Sequence, residues 1–348
     1  MRWPYLGAGA LGLAILALGP VSGGEPLPNG SPHAAGIPRT QKPLAEKDDR
    51  LRFVIIGDRT GEARPGVFER AMAQINWLQP NFVISVGDLI EGYTEDTTVI
   101  KSEWDEVESA IDALQMPFFH VVGNHDMGND ILRQVWKARL GRDYYHFVKD
   151  GVLFIALNTE DPPSGRVDRA KLFADVPRDD LARLFAAMQS DEAAQAKFFA
   201  EKPALKKLVD AVKASEKVII GKAQVDYVRK ALADNAHARW TMVFMHRPAW
   251  RATSPEFTEI ERMLANRPYT MIAGHYHAYA YEQRHGRDYI VMGTTGGKAD
   301  AANPNAMDHV MLVTMGTGKS GPEMANIKLD GLYDRKGPSA TPAAIKAP

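Results

Sequence analysis

Five short apolar runs in this 348-residue chain end abruptly in a polar side chain. They lie at 53–56, 82–86, 118–122, 242–245 and 271–273, and each has the length of a buried β-strand. Segments with apolar residues at helical spacing separate the first three, so the pattern predicts a sheet with helices on its faces. Ligands of such sheets bind beyond the carboxyl ends of the strands. We therefore expect the polar side chains after these runs to meet in one site.

These polar side chains are of types that bind metal ions. The candidate ligands are Asp58, Asp88, Asn124, His246, His275 and His277, and His125 and Asp126 follow Asn124 directly. The chain has no Cys, which excludes disulfides and thiolate ligands. Oxygen and imidazole donors suit Mn, Fe, Zn or Mg. Six donors are too many for one ion that must leave room for a substrate, but they suit two ions that polarise a phosphate ester and activate water.

The order of these blocks resembles the motif series of the calcineurin-like metallophosphoesterase superfamily. The matching blocks are Gly57-Asp58, Gly87-Asp88, Gly123-Asn124-His125-Asp126, His246 and Gly274-His275-Tyr276-His277. The resemblance implies a four-layer α/β/β/α sandwich of two mixed sheets and hydrolysis of phosphomonoesters or phosphodiesters at a dinuclear centre. It also implies ligand roles: Asp88 bridges two divalent or trivalent ions, Asp58 and His277 bind the first, and Asn124, His246 and His275 bind the second.

In such a centre a metal-bridging hydroxide would attack phosphorus, and His125 would act as the general acid that protonates the leaving group. Asp126 is expected to orient the His125 ring and to favour its protonated form. The alternative is that Asp126 or Asn129 caps the following helix. Arg59 and Arg247 each adjoin a proposed ligand and could clamp a phosphate, or else form a salt bridge or stay solvated.

The first block departs from the family pattern, because Thr60 stands where the family has a His ligand. Three outcomes are open: two ions with a water-rich, weakened first site, a single ion, or a site that fills only with substrate. We favour the first, since every other ligand position is intact. The alternative function is a catalytically impaired metal-binding module that serves in binding or scaffolding. Glu91 occupies the position of the Tyr ligand of purple acid phosphatases, so a tyrosinate-iron site is not expected.

The sequence divides into terminal segments and one central domain, and its N-terminal segment predicts export. Residues 1–23 resemble a signal peptide, with uncleaved anchoring as the alternative, so we expect a periplasmic or secreted protein. Residues 24–49 are expected to form a linker, 50–330 the domain and 331–348 a disordered tail. Within the domain, 160–217 predict a helical insertion that acts as a lid or packs on a flank. A net charge of -1 indicates no sequence-wide basic surface for nucleic acid and leaves a local patch open. The partner that the resemblance implies is a phosphate ester.

Two local predictions bear on the site. Residues 118–122 are expected to form one continuous strand, and 277–283 another that begins at His277. Alternation would then place His275 and His277 on the same face.

Between 144–148 and 152–157, Asp150-Gly151 predicts a hairpin turn. The insertion is expected to contain two amphipathic helices.

Overall fold

The computed structural model describes residues 30–32, 34–44, 50–163, 173–188, 190–215, 217–318 and 320–332. The expected signal peptide and all but the first two residues of the expected tail lie outside these ranges, so those assignments stay predictions. Within the described ranges, no helix combines the length and the apolar character that crossing a bilayer requires.

Two mixed β-sheets form the centre of the fold. Their strands are β1 Leu51–Ile56, β2 Phe82–Ser85, β3 Phe118–Phe119, β4 Tyr145–Lys149, β5 Val152–Ala156, β6 Trp240–Phe244, β7 Tyr269–Ala273, β8 Ala280–Arg284, β9 Arg287–Val291, β10 His309–Met315 and β11 Glu323–Lys328. The first sheet has the strand order β11-β10-β1-β2-β3 and the second β4-β5-β6-β7-β9-β8. Neighbours are parallel along β1-β2-β3 and along β5-β6-β7-β9, and the remaining neighbours are antiparallel.

The apolar side chains sort into layers because successive residues of a strand face opposite sides. In β1, Phe53 and Ile55 belong to the core between the two sheets, whereas Val54 and Ile56 belong to the core under the first sheet's helices. A third core lies between the second sheet and its own helices. The predicted four-layer α/β/β/α sandwich is confirmed. The helices of the outer layers include Val67–Leu78, Thr97–Ile111 and Asp130–Arg139 on the first sheet and Lys222–Asp234 and Pro255–Leu264 on the second.

The third strand is shorter than predicted, and a segment from the expected linker packs beside it. Only Phe118–Phe119 pair with β2. Beyond them, the His120 N–H donates to the Pro38 carbonyl oxygen (2.9 Å) and the Val121 N–H to the Ser85 hydroxyl (3.0 Å). Ile37 and Leu44 are buried in the core between the sheets. The ladder with β2 ends where the Val121 N–H bonds a side chain of β2, and part of the segment expected to be a linker packs along the other edge of β3.

The described residues of the expected helical insertion form three helices, where two were expected: Arg178–Met188, Glu192–Glu201 and Pro203–Ser215. Leu184, Phe198, Leu205 and Val209 form a small core of their own. At the base, Glu160 and Ile219 form a parallel bridge, and the Ile219 N–H donates to the Thr159 carbonyl oxygen (2.9 Å). Whether these helices act as a lid stays a prediction.

Candidate metal centre

The turn that presents Asp88 is fixed by a buried carboxylate of another turn. Asp88 follows β2 with a left-handed φ of 57°. Asp126 accepts the backbone N–H groups of Asp88 (2.8 Å), Leu89 (2.8 Å), Ile90 (3.2 Å) and Gly123 (2.9 Å). Burial and the nearby Asp88 charge raise the pKa of Asp126 to about 7 despite these donors. Asp126 thus joins the Asp88 turn to the Asn124 turn.

This arrangement corrects the role expected of Asp126. The His125 ring is oriented by the backbone of another residue, since its Nδ1 lies 2.6 Å from the Glu91 carbonyl oxygen. Asp126 instead receives backbone N–H groups, because the backbone turns around it. The capping alternative holds for Asn129, which accepts the Leu132 N–H (2.9 Å) at the start of the helix Asp130–Arg139.

One group of candidate ligands surrounds His246; we call it the second group and define it as Asp88, Asn124, His246 and His275. His246 Nε2 lies 3.0 Å from Asp88 Oδ2, 3.1 Å from Asn124 Oδ1 and 3.2 Å from His275 Nδ1. The other ring nitrogen, Nδ1, lies 2.9 Å from the Val86 carbonyl oxygen, which holds the ring with Nε2 toward the group. Four atoms with lone pairs thus converge in the interior, a donor set that fits a cation.

The charges of this group depend on one another. Burial lowers the pKa of His246, but the adjacent Asp88 carboxylate outweighs it and raises that pKa to about 9. Conversely, burial raises the pKa of Asp88, while His246 and His125 hold it well below its usual range. Asp88 is therefore an anion in the interior, as a metal ligand has to be.

Asp58, Asp88 and His277 form the first group. Their ligand atoms lie within 4.8 Å of one another, and the same holds for Asp88, His246 and His275. His277 Nε2 lies 3.2 Å from Asp58 Oδ2, and its Nδ1 lies 2.7 Å from the Lys298 carbonyl oxygen. Asp58 Oδ1 is buried and has no hydrogen-bond partner among the described residues, so it is available to a cation. Asp88 belongs to both groups.

His275 and His277 lie in a turn rather than on a strand, so the expected alternation is wrong. Strand β7 ends at Ala273 and β8 begins at Ala280. The two His residues adopt φ values of 78° and 55°, a region that few residues with side chains occupy. The turn directs His275 to the second group and His277 to the first. A Cβ atom on Gly274 would lie 2.3 Å from Asp58 Oδ1, so only glycine fits there.

The two candidate phosphate-binding arginines both form ion pairs. Arg59 donates to the Leu89 carbonyl oxygen (3.0 Å) and pairs with Glu106, while its guanidinium lies over the Phe68 ring. Its position matches the salt-bridge alternative.

Arg247 is nearer the centre. It is buried and pairs with the buried Glu160, and its Nη1 lies 3.2 Å from His275 Nε2. Arg247 and Glu160 therefore lie behind the second group. Sequence reasoning did not select Glu160; its one signal was that it follows a strand, β5, as the candidate ligands do.

Sequence reasoning also missed Tyr93 and the surroundings of Thr60. The Tyr93 hydroxyl accepts a hydrogen bond from Asn124 Nδ2, and the ring centroids of Tyr93 and His125 are 4.1 Å apart. Thr60 is buried beside Glu91. Burial raises the pKa of Glu91, but the Thr60 side chain and the Ala63 N–H (2.7 Å) lower it overall. The sequence pattern identified the candidate ligands but not the residues that position them.

A family model described as calcineurin-like phosphoesterase matches residues 51–279, which contain every ligand of both groups. The chain belongs to this family. The family's metal-dependent hydrolysis of phosphoesters accounts for the convergence of carboxylate, amide and imidazole groups on two adjacent positions. The expectation of a metallophosphoesterase is thereby confirmed at the level of enzyme class.

Curated relatives match over a shorter stretch. The serine/threonine-protein phosphatase CPPED1 of Pongo abelii is 36% identical over 107 residues, and that of Homo sapiens is 35% identical over 103 residues. Each match covers 26% of this chain and 31% of the relative, so the chain spans about a third of the length of these relatives.

Solved structures match over most of the chain at low identity. A dimetal phosphatase from Danio rerio superposes with a TM-score of 0.52 at 15% identity, covering 80% of this chain and 99% of that one. The purple acid phosphatase PPD1 from Lupinus luteus gives a TM-score of 0.51 at 14% identity, covering 84% of this chain and 54% of that one. At these identities the likeness shows the fold.

Proposed function

We propose that this protein hydrolyses phosphate esters with two metal ions, one held by the first group and one by the second. The observation that carries the proposal is the position of Asp88, whose carboxylate is common to two sets of ligand atoms that each lie within 4.8 Å. A shared carboxylate is the feature that places two ions close together. When bound, the ions would supply Lewis acidity and an activated water.

The chain itself supplies the proton. The His125 backbone N–H donates to Asp88 Oδ1 (2.9 Å), and its Nε2 lies 3.9 Å from Asp88 Oδ2. Because the Glu91 carbonyl oxygen accepts from Nδ1, Nε2 is the nitrogen that faces the site and exchanges a proton with the leaving group. The His125 side chain is 15% exposed, so a leaving group can reach it from solvent.

For the substrate, we infer a phosphomonoester of an alcohol. The support is the similarity to relatives named serine/threonine-protein phosphatase. Phosphoserine and phosphothreonine peptides are therefore the first substrates to test, with a bis-aryl phosphodiester as the comparison.

The test compares leaving groups in wild type and His125→Ala. An alkoxide needs a proton to leave, whereas p-nitrophenolate leaves readily without one. We expect His125→Ala to lower kcat for a phosphoserine peptide by about 10²–10⁴-fold and kcat for p-nitrophenyl phosphate much less. Equal losses for both substrates would contradict the role of His125. A wild-type protein that binds two ions and hydrolyses none of these esters would favour the binding or scaffolding alternative.

We also propose that the protein is exported by way of residues 1–23. Expression of the full chain in a Gram-negative host, followed by mass spectrometry of the N-terminus, tests this. Cleavage near residue 23 with recovery from the periplasm is expected, and an intact N-terminus in the cytoplasm would refute it.

A further inference from the structure

The orientation of the Asn124 side-chain amide depends on the groups around it. Only the amide oxygen can bind a cation, and the amide's two ends have nearly the same shape, so hydrogen bonds decide which end faces the ligands. Here Oδ1 lies 3.1 Å from His246 Nε2, and Nδ2 donates to the Tyr93 hydroxyl on the opposite side. The Tyr93 hydroxyl is thus the group that receives the amide's NH₂ end.

The backbone at Gly92 and Tyr93 adopts a left-handed conformation. Tyr93 has a φ of 52° and Gly92 a φ of 58°. A non-glycine residue in this region is strained and persists only where its surroundings fix it. The Gly92 N–H donates to Glu103 Oε2 (3.0 Å), and Asn129 Nδ2 donates to the Thr94 carbonyl oxygen (3.1 Å). Both flanks of Tyr93 are therefore anchored to helices or their caps.

The same loop also holds His125. The Tyr93 ring lies 4.1 Å from the His125 ring between centroids, and the Glu91 carbonyl oxygen accepts from His125 Nδ1. On the other side, a Cβ atom added to Gly128 would lie 3.3 Å from Tyr93 Cε1, so the ring fits closely against the turn that carries Asn124 and His125. One loop, residues 91–93, contacts a candidate ligand and the candidate acid together.

We propose that Tyr93 is a positioning residue of the second ion site: its hydroxyl holds the Asn124 amide with Oδ1 toward the ion, while its ring packs against the His125 side chain. The inference rests on the proposed function only in that the second group binds a metal ion. It assigns Tyr93 no contact with the reacting atoms.

The experiment measures metal binding directly. Wild type and Tyr93→Phe are stripped with chelator, and Mn²⁺ is titrated back and followed by calorimetry and by metal analysis after dialysis. Loss of a group that orients a ligand typically weakens metal binding about 10–100-fold, and we expect a loss in this range for one of the two ions. Tyr281→Phe is the matched control, because it removes the hydroxyl of an exposed tyrosine that bonds Asp288 (2.8 Å) on the edge of the second sheet.

A second background separates orientation from general damage. Asn124→Asp replaces the amide with a carboxylate, which presents an oxygen whichever way it turns. Adding Tyr93→Phe to Asn124→Asp should therefore cost much less metal affinity than adding it to wild type. Equal costs in both backgrounds, or wild-type affinity in Tyr93→Phe alone, would overturn the proposal. A wild type that binds both ions yet hydrolyses no ester would refute the proposed function and leave this test intact.

Discussion

The two halves of the metal centre share Asp88 but differ in how they are built. Besides Asp88, the second group has two buried ligands, Asn124 and His246, and the half-buried His275, whereas the first group has the buried Asp58 and the half-buried His277. Ligands of both groups contact a supporting protein group, such as Val86 for His246 and Lys298 for His277. The first group has Thr60 where the family resemblance implies a fourth ligand. One ion should therefore have a complete set of protein ligands and the other an incomplete set.

Removing the shared Asp88 carboxylate should prevent metal binding by both groups. Asp88→Asn removes the carboxylate that both groups share and leaves the second group with none, so we expect both ions to be lost and hydrolysis to fall toward the uncatalysed rate, which for enzymes lies at least about 10⁶-fold lower. Metal analysis and phosphate release at saturating Mn²⁺ measure this. Retention of one tightly bound ion would show that Asp88 serves only one group.

Breaking the support behind the second group should destabilise the fold. Glu160→Gln leaves the buried Arg247 without its carboxylate, and losing one partner of a buried pair costs about 3–5 kcal/mol in the free energy of unfolding. Urea unfolding of the metal-free protein measures it.

The double variant Glu160→Gln/Arg247→Met should recover part of the loss. Asp210→Asn breaks the exposed Lys206–Asp210 pair and serves as the control, with little change expected. A similar small change for Glu160→Gln would mean that the second group needs no such support.

Lowering the pH should reduce the free energy of unfolding through His120, which precedes Asn124 in the chain. Burial lowers the pKa of His120 to about 4, against about 6.5 in an unfolded chain. Between these values the unfolded state binds a proton that the folded state does not. The contribution of this residue to stability is therefore intact above pH 6.5 and falls by about 3 kcal/mol as the pH drops to 4.

His120→Phe should remove this contribution to the pH dependence, because phenylalanine does not titrate. The Pro38 carbonyl oxygen still accepts the backbone N–H of residue 120, so the segment keeps this contact. Urea unfolding at pH 7 and pH 4.5 compares the variant with wild type, and the exposed His237→Gln is the control. Parallel losses of stability in wild type and His120→Phe would refute the assignment.

Introducing a His at position 60 should make the affinities for the two ions more similar. Thr60→His adds an imidazole beside Asp58 and His277, and we expect the weaker ion to bind about 10-fold more tightly, the lower end of what one supporting group contributes. Thr60→Val adds no donor of similar reach and is the matched control. Competition with a graded series of chelators measures both ions, and unchanged affinity in Thr60→His would show that position 60 does not limit the first site.

Periodicity predicted a sheet with helices on its faces and the edge at which the ligands meet, whereas the four layers followed from the resemblance to the family. Alternation in β1 separates Phe53 from Val54, and parallel strands bring Asp58 and Asp88 to the same edge. The roles of Asp126, Tyr93 and Glu160 were beyond this reasoning, since they depend on where a side chain points after a turn. His275 and His277 show the limit most clearly: their φ values are positive, and no spacing rule anticipates this conformation in residues with side chains.

The bridge between Glu160 and Ile219 has a consequence for how this enzyme can diverge. The chain leaves the sandwich at Glu160 and returns to it at Ile219, and the Asp161 N–H donates to the Ile219 carbonyl oxygen (3.0 Å). Because the two ends already meet, the cost of closing the loop between them grows only slowly with its length. The three helices can accordingly be exchanged for a short turn or a larger module with little strain on the sheets. The inserted helices can therefore change while the sheets and the metal centre stay the same.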